Sequence, residues 1–497
     1  MRAYNTSIVG RYGACKLLQR CVDSDKAEFI AMGGRRRVGK TYLIKRFFDD
    51  NFDFYTSGIC DISNEEQLVN FVMKLQEFSG RVFPQPKNWF EAFNLLKQYL
   101  SGIRKKRIIV FIDELPWHDA PKSNFTKALE SFWNTWGADQ PRLKLIVCGS
   151  STTWMVNKLL GNRGGLHNRV TRRIFLRPFT LGETEQYLDS RHFNWDRKHI
   201  VNCYMALGGT PYYLSLLQKD LSLEQNIDKL FYGENPELKM EYEFLFRSLF
   251  SDSVSHKRVV ELLSTKMAGM SRGEIVESLN ITDNGGLTEV LSNLEKCDFI
   301  RQYAPFGKKQ RGTIYQLTDL FSLFYLRFVR GYKGQNLNAW SSMSDHVKDS
   351  WRGYAFGQVC LLHVQQIKHA LGINGISADV ASWSANVDGK KSQIDLVIDR
   401  ADRIVNLCEM KYSESLYDIT KEYADYLRTR REQFRTITKT RKSLQLTFVT
   451  MEGVKPSKNS CDVNSQVYAD DLFYDLEDAK RGRTQGGSYD NGGLGRR

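Results

Sequence analysis

Through the first 190 residues, strand-length apolar runs alternate with stretches whose apolar residues recur at helical spacing. The runs at 29–32, 52–56, 107–112, 143–148 and 173–176 are nearly continuous in apolar character, as expected for strands buried on both faces. Strands alternating with helices predict a parallel sheet with crossover helices. From about Trp195 to Arg247 the pattern is helical throughout. Ser271-Arg272-Gly273-Glu274 is a capping box opening a helix through Leu279, and Leu287, Val290, Leu291 and Leu294 mark one apolar face of a second helix. A hairpin follows over 300–317, with GKKQRG at its tip. After a polar stretch (334–349), a further mixed α/β segment runs to about Leu476.

The chain has 497 residues, too many for one hydrophobic core, so several domains are expected. No apolar run approaches the ~20 residues needed to cross a bilayer. Nor does the N-terminus resemble an export signal, so the expected location is the cytoplasm and no membrane partner is expected. Nine cysteines, an odd number without any Cys-x-x-Cys, read as reduced thiols rather than a disulfide or zinc framework. A net charge of +14 favours a polyanionic partner but points only weakly to nucleic acid by itself; DNA is the expected partner through the downstream segments. The end of the chain, 477–497, is Gly-rich and basic without apolar periodicity, and reads as a disordered tail.

Residues 34–41, GRRRVGKT, fit the phosphate-binding pattern G-x-x-x-x-G-K-T, with a strand before and a helix after. Gly34, Arg35, Arg36, Arg37, Val38 and Gly39 form a loop whose backbone N–H groups turn toward phosphate oxygens. Lys40 reaches the β- and γ-phosphates, and the Thr41 hydroxyl takes a Mg²⁺ position. The strand RIIVFID ends in Asp113 and Glu114 at the carboxyl edge of the sheet. There Asp113 is placed to hold Mg²⁺ and Glu114 to orient and deprotonate the attacking water. The strand LKLIVC leads to Ser150 and Ser151, where Ser150 is a candidate γ-phosphate sensor. Arg163, Arg169, Arg172 and Arg173 follow, either as candidate arginine fingers in cis or across a homo-oligomer interface, or as cover for the sheet edge.

Together GRRRVGKT, FIDELPW, LIVCGSS, HNRVTRRIFLRPF and GGTPYYL resemble the archaeal and bacterial AAA-type ATPases of the STAND class. The resemblance covers roughly residues 5–235. It implies that Gly10-Arg11 lies near the adenine, although the acid usually found just after this arginine is replaced here by Tyr12 and Ala14. It also implies that Gly209-Thr210-Pro211 is the lid motif set against the nucleotide, and that a winged helix follows. Helix, helix and basic-tipped hairpin over 250–333 fit that expectation. Such a module either puts its second helix in the DNA major groove, with Lys308, Lys309 and Arg311 on phosphates, or serves as an intramolecular or protein contact.

In QIDLVIDRADRIVNLCEMKY, one strand carries Asp395 and its partner carries Glu409 and Lys411 on one face. Two carboxylates and a lysine in this pattern suit a metal held against a scissile phosphate. D-x₁₃-E-x-K resembles the PD-(D/E)xK restriction-endonuclease-like fold, over roughly residues 350–450. Where that pattern favours a helix glutamate, this chain has Gly357-Gln358. The reading is thus α/β: ATPase core (1–190), helical lid (191–249), winged helix (250–333) and nuclease-like domain (334–476). Functionally it is an ATP- and Mg²⁺-dependent switch ATPase whose C-terminal region either cleaves DNA or only binds DNA or a protein partner.

Overall fold

The computed structural model describes residues 8–150, 154–155, 166, 168–307, 312–387 and 389–476. Ser151, Arg163, Lys308, Lys309, Arg311 and the tail 477–497 lie outside the described residues.

The N-terminal sheet comprises β1 (Glu28–Gly33), β2 (Phe54–Ser57), β3 (Ile108–Asp113), β4 (Leu143–Cys148) and β5 (Arg172–Phe175). All are parallel, in the order β2-β3-β4-β1-β5. Every residue of β1, β3 and β4 is buried, which accounts for their unbroken apolar runs. Alternate residues serve opposite faces. Phe29, Val110 and Leu145 pack against the helices Asn64–Ser79, Trp89–Ser101 and Phe125–Thr135. Ile30, Phe111 and Ile146 pack against Tyr12–Asp23 and Lys40–Phe47. The strand β1 stands between β4 and β5, so the phosphate-loop strand and the acidic strand β3 are separated by β4.

The helical part begins earlier than Trp195. A helix at Leu181–Ser190 opens with a complete capping box, Thr180 with Glu183. Arg197–Leu207, Pro211–Ser215, Leu223–Phe231 and Glu241–Leu249 continue it. The next segment runs helix (Ser253–Ser264), β6 (Met270–Ser271), helix (Arg272–Leu279), helix (Gly285–Lys296), β7 (Ile300–Tyr303), β8 (Ile314–Leu317), its three strands ordered β6-β8-β7. A second five-stranded sheet follows: β9 (Ala378–Val387), β10 (Lys390–Arg400), β11 (Ile404–Lys411), β12 (Ser443–Thr450) and β13 (Val463–Tyr468). Its order is β13-β12-β11-β10-β9, antiparallel from β9 to β11 and parallel from β11 to β13. The helix before this sheet starts at Asp345, inside the polar stretch 334–349, and ends at Leu362. A second helix resumes at Val364. Gly357 faces open space, and Gln358 is buried with its Oε1 unpaired among the described residues.

One continuous apolar core runs from Phe179 to Phe473, joining the helices between Leu181 and Leu249, the three-stranded segment and the second sheet. The hairpin is fastened to that sheet: the Phe306 N–H donates to the Ser382 carbonyl at 2.7 Å, and the Phe306 ring meets Phe434. None of the nine cysteines is in a disulfide, and seven are buried. Among the described residues no helix is long and apolar enough to cross a membrane.

Candidate nucleotide site and the C-terminal carboxylates

The loop after β1 turns on glycines. Gly34 has φ 138°, and a Cβ there would strike the Leu176 carbonyl; Gly39 has φ 88° and caps the helix Lys40–Phe47. Lys40 is folded over this loop, its ammonium donating to the carbonyls of Gly34 (2.7 Å) and Arg35 (2.9 Å). The Thr41 hydroxyl donates to Asp113 Oδ2 at 2.7 Å, although the two residues are 72 positions apart. A hydroxyl and a carboxylate meeting beside the phosphate loop form a hard-oxygen donor set of the kind Mg²⁺ takes, so these residues fit the ion.

Glu114 sits in the left-handed region (φ 45°, ψ 49°), an uncommon conformation for a non-glycine residue and one that concentrates at functional sites. Its carboxylate accepts from the Ser150 hydroxyl at 2.9 Å and the Ser150 N–H at 3.3 Å. Ser150 therefore holds Glu114 across the gap between β3 and β4.

Above the loop lies a cleft of about 470 Å³, within the size range of ligand pockets. It is lined by Arg36 to Leu43, Arg11, Glu114 and Ser150 on the sheet side, and by Phe179, Tyr187, Pro211, Tyr212 and Ser215 from the downstream helical segment. Arg11 pins its rim. The guanidinium donates to the carbonyls of Arg177 (2.7 Å) and Val38 (3.0 Å) and stacks on Phe179, while its backbone N–H donates to Glu183. The acid missing beside Arg11 in sequence is thus present in space, from the lid helix.

Two loop arginines reach downstream. Arg35 is buried and pairs with Asp319 at 2.5 Å, while also donating to the Thr210 hydroxyl at 2.8 Å. Arg37 forks onto Glu241 at 3.1 and 3.2 Å and lies over the Tyr212 ring. Glu183, Glu241 and Asp319 were not singled out in the sequence. The Arg35–Asp319 partners are 284 positions apart, and no local pattern links them. Of the candidate fingers, Arg172 and Arg173 lie on β5 opposite Ile30 and Ala31, Arg173 facing a separate cleft, and Arg169 stands in a turn. None of these three lines the nucleotide cleft.

In the second sheet, Glu409 and Lys411 share a face, 3.9 Å apart. Yet Glu409 is buried and already engaged: Arg430 pairs with one carboxylate oxygen and the Tyr423 hydroxyl donates to the other. Asp395 is exposed and accepts from the Gln393 amide. Among the described residues no group of three or more His, Cys, Asp or Glu side chains is arranged to hold a metal. A guanidinium on Glu409 supplies the positive charge a cation would bring, so this carboxylate set does not fit a divalent ion as arranged.

A family model described as an ATPase domain predominantly from Archaea matches residues 9–217. An uncharacterized protein of Methanocaldococcus jannaschii is 25% identical over 323 residues, 65% of this chain and 68% of the relative. Similar solved structures include a Walker-type ATPase of Pyrococcus abyssi, with 16% identity, 66% of this chain and 99% of that one covered, and a TM-score of 0.48. The ORC2 protein of Aeropyrum pernix gives 13% identity, 65% and 94% coverage, and a TM-score of 0.42. Residues 9–217, which hold both the phosphate loop and the acidic strand end, thus match an archaeal-type ATPase domain.

Proposed function

We propose that this chain is a cytoplasmic, ATP-driven switch that binds ATP with Mg²⁺ in the cleft under the lid and hydrolyses it. The observation that carries the reading is the convergence of Lys40, the Thr41–Asp113 pair and the Glu114–Ser150 pair at one edge of the parallel sheet. Lys40, now spending its donors on loop carbonyls, transfers them to β- and γ-phosphate oxygens when nucleotide enters. Thr41 and Asp113 hold the Mg²⁺, which when bound neutralises charge on those oxygens. Glu114, fixed by Ser150, orients the attacking water and takes its proton. Arg11 and Pro211 line the cleft, and the base is assigned to their end of it.

The test separates binding from turnover. Lys40→Ala should abolish binding of ATP, whereas Glu114→Gln should bind ATP and lose hydrolysis. Equal loss of binding in both variants would show the two roles to be misassigned.

For the C-terminal region the reading is non-nucleolytic: it contacts a partner without cutting DNA. The Arg430–Glu409 pair supports this, as does the surface of the helix Gly285–Lys296. Its exposed positions carry Gly285, Gly286, Thr288 and Glu289, none of them basic, and its single lysine, the half-buried Lys296, stands at the C-terminal end. The hairpin beside it is occupied against the second sheet, which suits an intramolecular connector.

A further inference from the structure

Three consecutive arginines stand in the phosphate loop, and they have different surroundings. Arg35 is buried on Asp319 and Thr210, and Arg37 is bound to Glu241 and stacked on Tyr212. Arg36 is exposed, lines the nucleotide cleft with Lys40, Thr41, Glu114 and Ser150, and makes no hydrogen bond or ion pair with any described residue. Arg36 and Glu114 thus line one and the same cleft.

We propose that Arg36 is the catalytic arginine of this ATPase, an arginine finger supplied in cis by the phosphate loop itself. The assignment rests on the ATPase reading above. In the reaction the oxygen of a water molecule forms a bond to the γ-phosphorus. The bond from that phosphorus to the bridging oxygen breaks, and ADP leaves with the electron pair on its terminal oxygen. The water's proton passes to Glu114. Arg36 exchanges no proton. Its planar fork donates hydrogen bonds to γ-phosphoryl oxygens, where charge develops in the transition state, in a way the single ammonium of Lys40 does not match. A free guanidinium in the cleft also removes the need for an arginine from a neighbouring copy, and it fits the finding that Arg169, Arg172 and Arg173 do not line the cleft.

The experiment uses the full chain. Turnover of ATP is measured for wild type, Arg36→Ala, Arg36→Lys and Lys40→Ala, together with binding of a non-hydrolysable ATP analogue and of ADP with aluminium fluoride, which mimics the transferring phosphoryl group. Arg36→Ala should lose on the order of 10³-fold in kcat, the size of an arginine-finger effect. It should bind the ATP analogue within about threefold of wild type, and its ADP–aluminium fluoride complex should fail to form. Arg36→Lys should recover only part of the rate, and added guanidinium should raise the rate of Arg36→Ala alone. Lys40→Ala should lose both ligands. The rate per chain of wild type should not fall on dilution.

Several outcomes would overturn the assignment. One is hydrolysis by Arg36→Ala at the wild-type rate, and another is loss of analogue binding in proportion to the loss of rate. A specific activity that falls on dilution would give the role to another copy's arginine. A wild type that binds ATP and never turns it over would sink the ATPase reading along with this assignment, which distinguishes that failure from the others.

Discussion

Asp319 offers the sharpest test of how the phosphate loop is tied to the rest of the chain. Its carboxylate meets Arg35 with side-chain exposures of 4% and 1%, so neither charge has water to fall back on. Burial alone would pull the Arg35 pKa down; Asp319, with Tyr213 and Asp298 adding to it, more than offsets this, and the net shift is upward. Asp319 also caps the helix Leu320–Phe324, accepting from the Ser322 N–H at 2.9 Å and the Ser322 hydroxyl at 2.6 Å. Asp319→Ala strands a buried guanidinium, at ~3–5 kcal/mol. Loss of the cap adds ~1 kcal/mol. Asp319→Asn keeps the cap and loses only the charge, so it should fall about 1 kcal/mol short of the alanine variant. Replacing both partners with leucine should restore much of the loss, because buried ion pairs exchange for apolar groups at little net cost, ~0 kcal/mol in favourable cases. The assay is urea unfolding followed by tryptophan fluorescence and by pulse proteolysis, for Asp319→Ala and Asp319→Asn, for the single variants Asp319→Leu and Arg35→Leu, and for the leucine double. A cost below about 1 kcal/mol, the level of an exposed pair, would refute the reasoning, as would single effects that simply add.

The second sheet yields a cleavage prediction: supercoiled and linear DNA incubated with Mg²⁺ or Mn²⁺, with and without ATP, should remain uncut by the wild type. Metal-dependent nicking that disappears in Asp395→Ala would return the domain to the nucleases. His363 yields a pH prediction. Burial holds its pKa down at about 4, while its Nδ1 lies 2.8 Å from the Val359 carbonyl and its Nε2 accepts the Leu181 N–H at 3.0 Å. The unfolded chain takes up this proton below about pH 6.5 and the folded chain only near 4. The neutral ring's contribution is therefore fully present above 6.5 and lost as pH falls toward 4, ~3 kcal/mol in all. Unfolding free energy measured across that window should slope more gently in His363→Gln, and an unchanged slope would count against the assignment.

What the sequence disclosed was what lies close together along it. The phosphate loop is eight consecutive residues between a strand and a helix, and Asp113-Glu114 ends an apolar run, so both were legible without tertiary information. The helix Leu181–Ser190 had a signal that went unused, the Thr180-to-Glu183 capping box. Arg430 also had one. Ala424, Leu427, Arg430 and Phe434 follow the buried stripe of the helix Lys421–Thr438, and an arginine in such a stripe demands an acid, here Glu409. Because the helix carries many charged residues, that stripe is easily read as a solvated face. Asp319, Glu241 and Glu183 had no such signal. Each found its partner only when folding set it against an arginine 172 to 284 positions away.

In the proposed switch, those three distant acids tie the nucleotide site to a large part of the chain. The lid and the C-terminal sheet are fastened to each other away from the cleft. His363 caps the lid helix at Leu181, a Cβ at Gly182 would strike the Phe473 carbonyl, and the Tyr412 hydroxyl donates to Asn202. Lys198 reaches the Glu414 carbonyl, and Arg197 lies over the Phe473 ring. With the continuous core behind them, these contacts make a shift of the lid a shift of the second sheet as well. On the other side of the cleft, Arg11 bridges the Val38 carbonyl to Glu183 of the lid, Arg37 holds Glu241, and Arg35 holds Asp319. All three arginines belong to the nucleotide site. In the proposed switch, phosphates entering the loop would draw Lys40 off the Gly34 and Arg35 carbonyls, and so act on the residues that grip the downstream chain. Differential contact with nucleotide at the loop is then felt at Asp319 and Glu241 without a separate relay, which is what a two-state switch operated by a bound ligand requires.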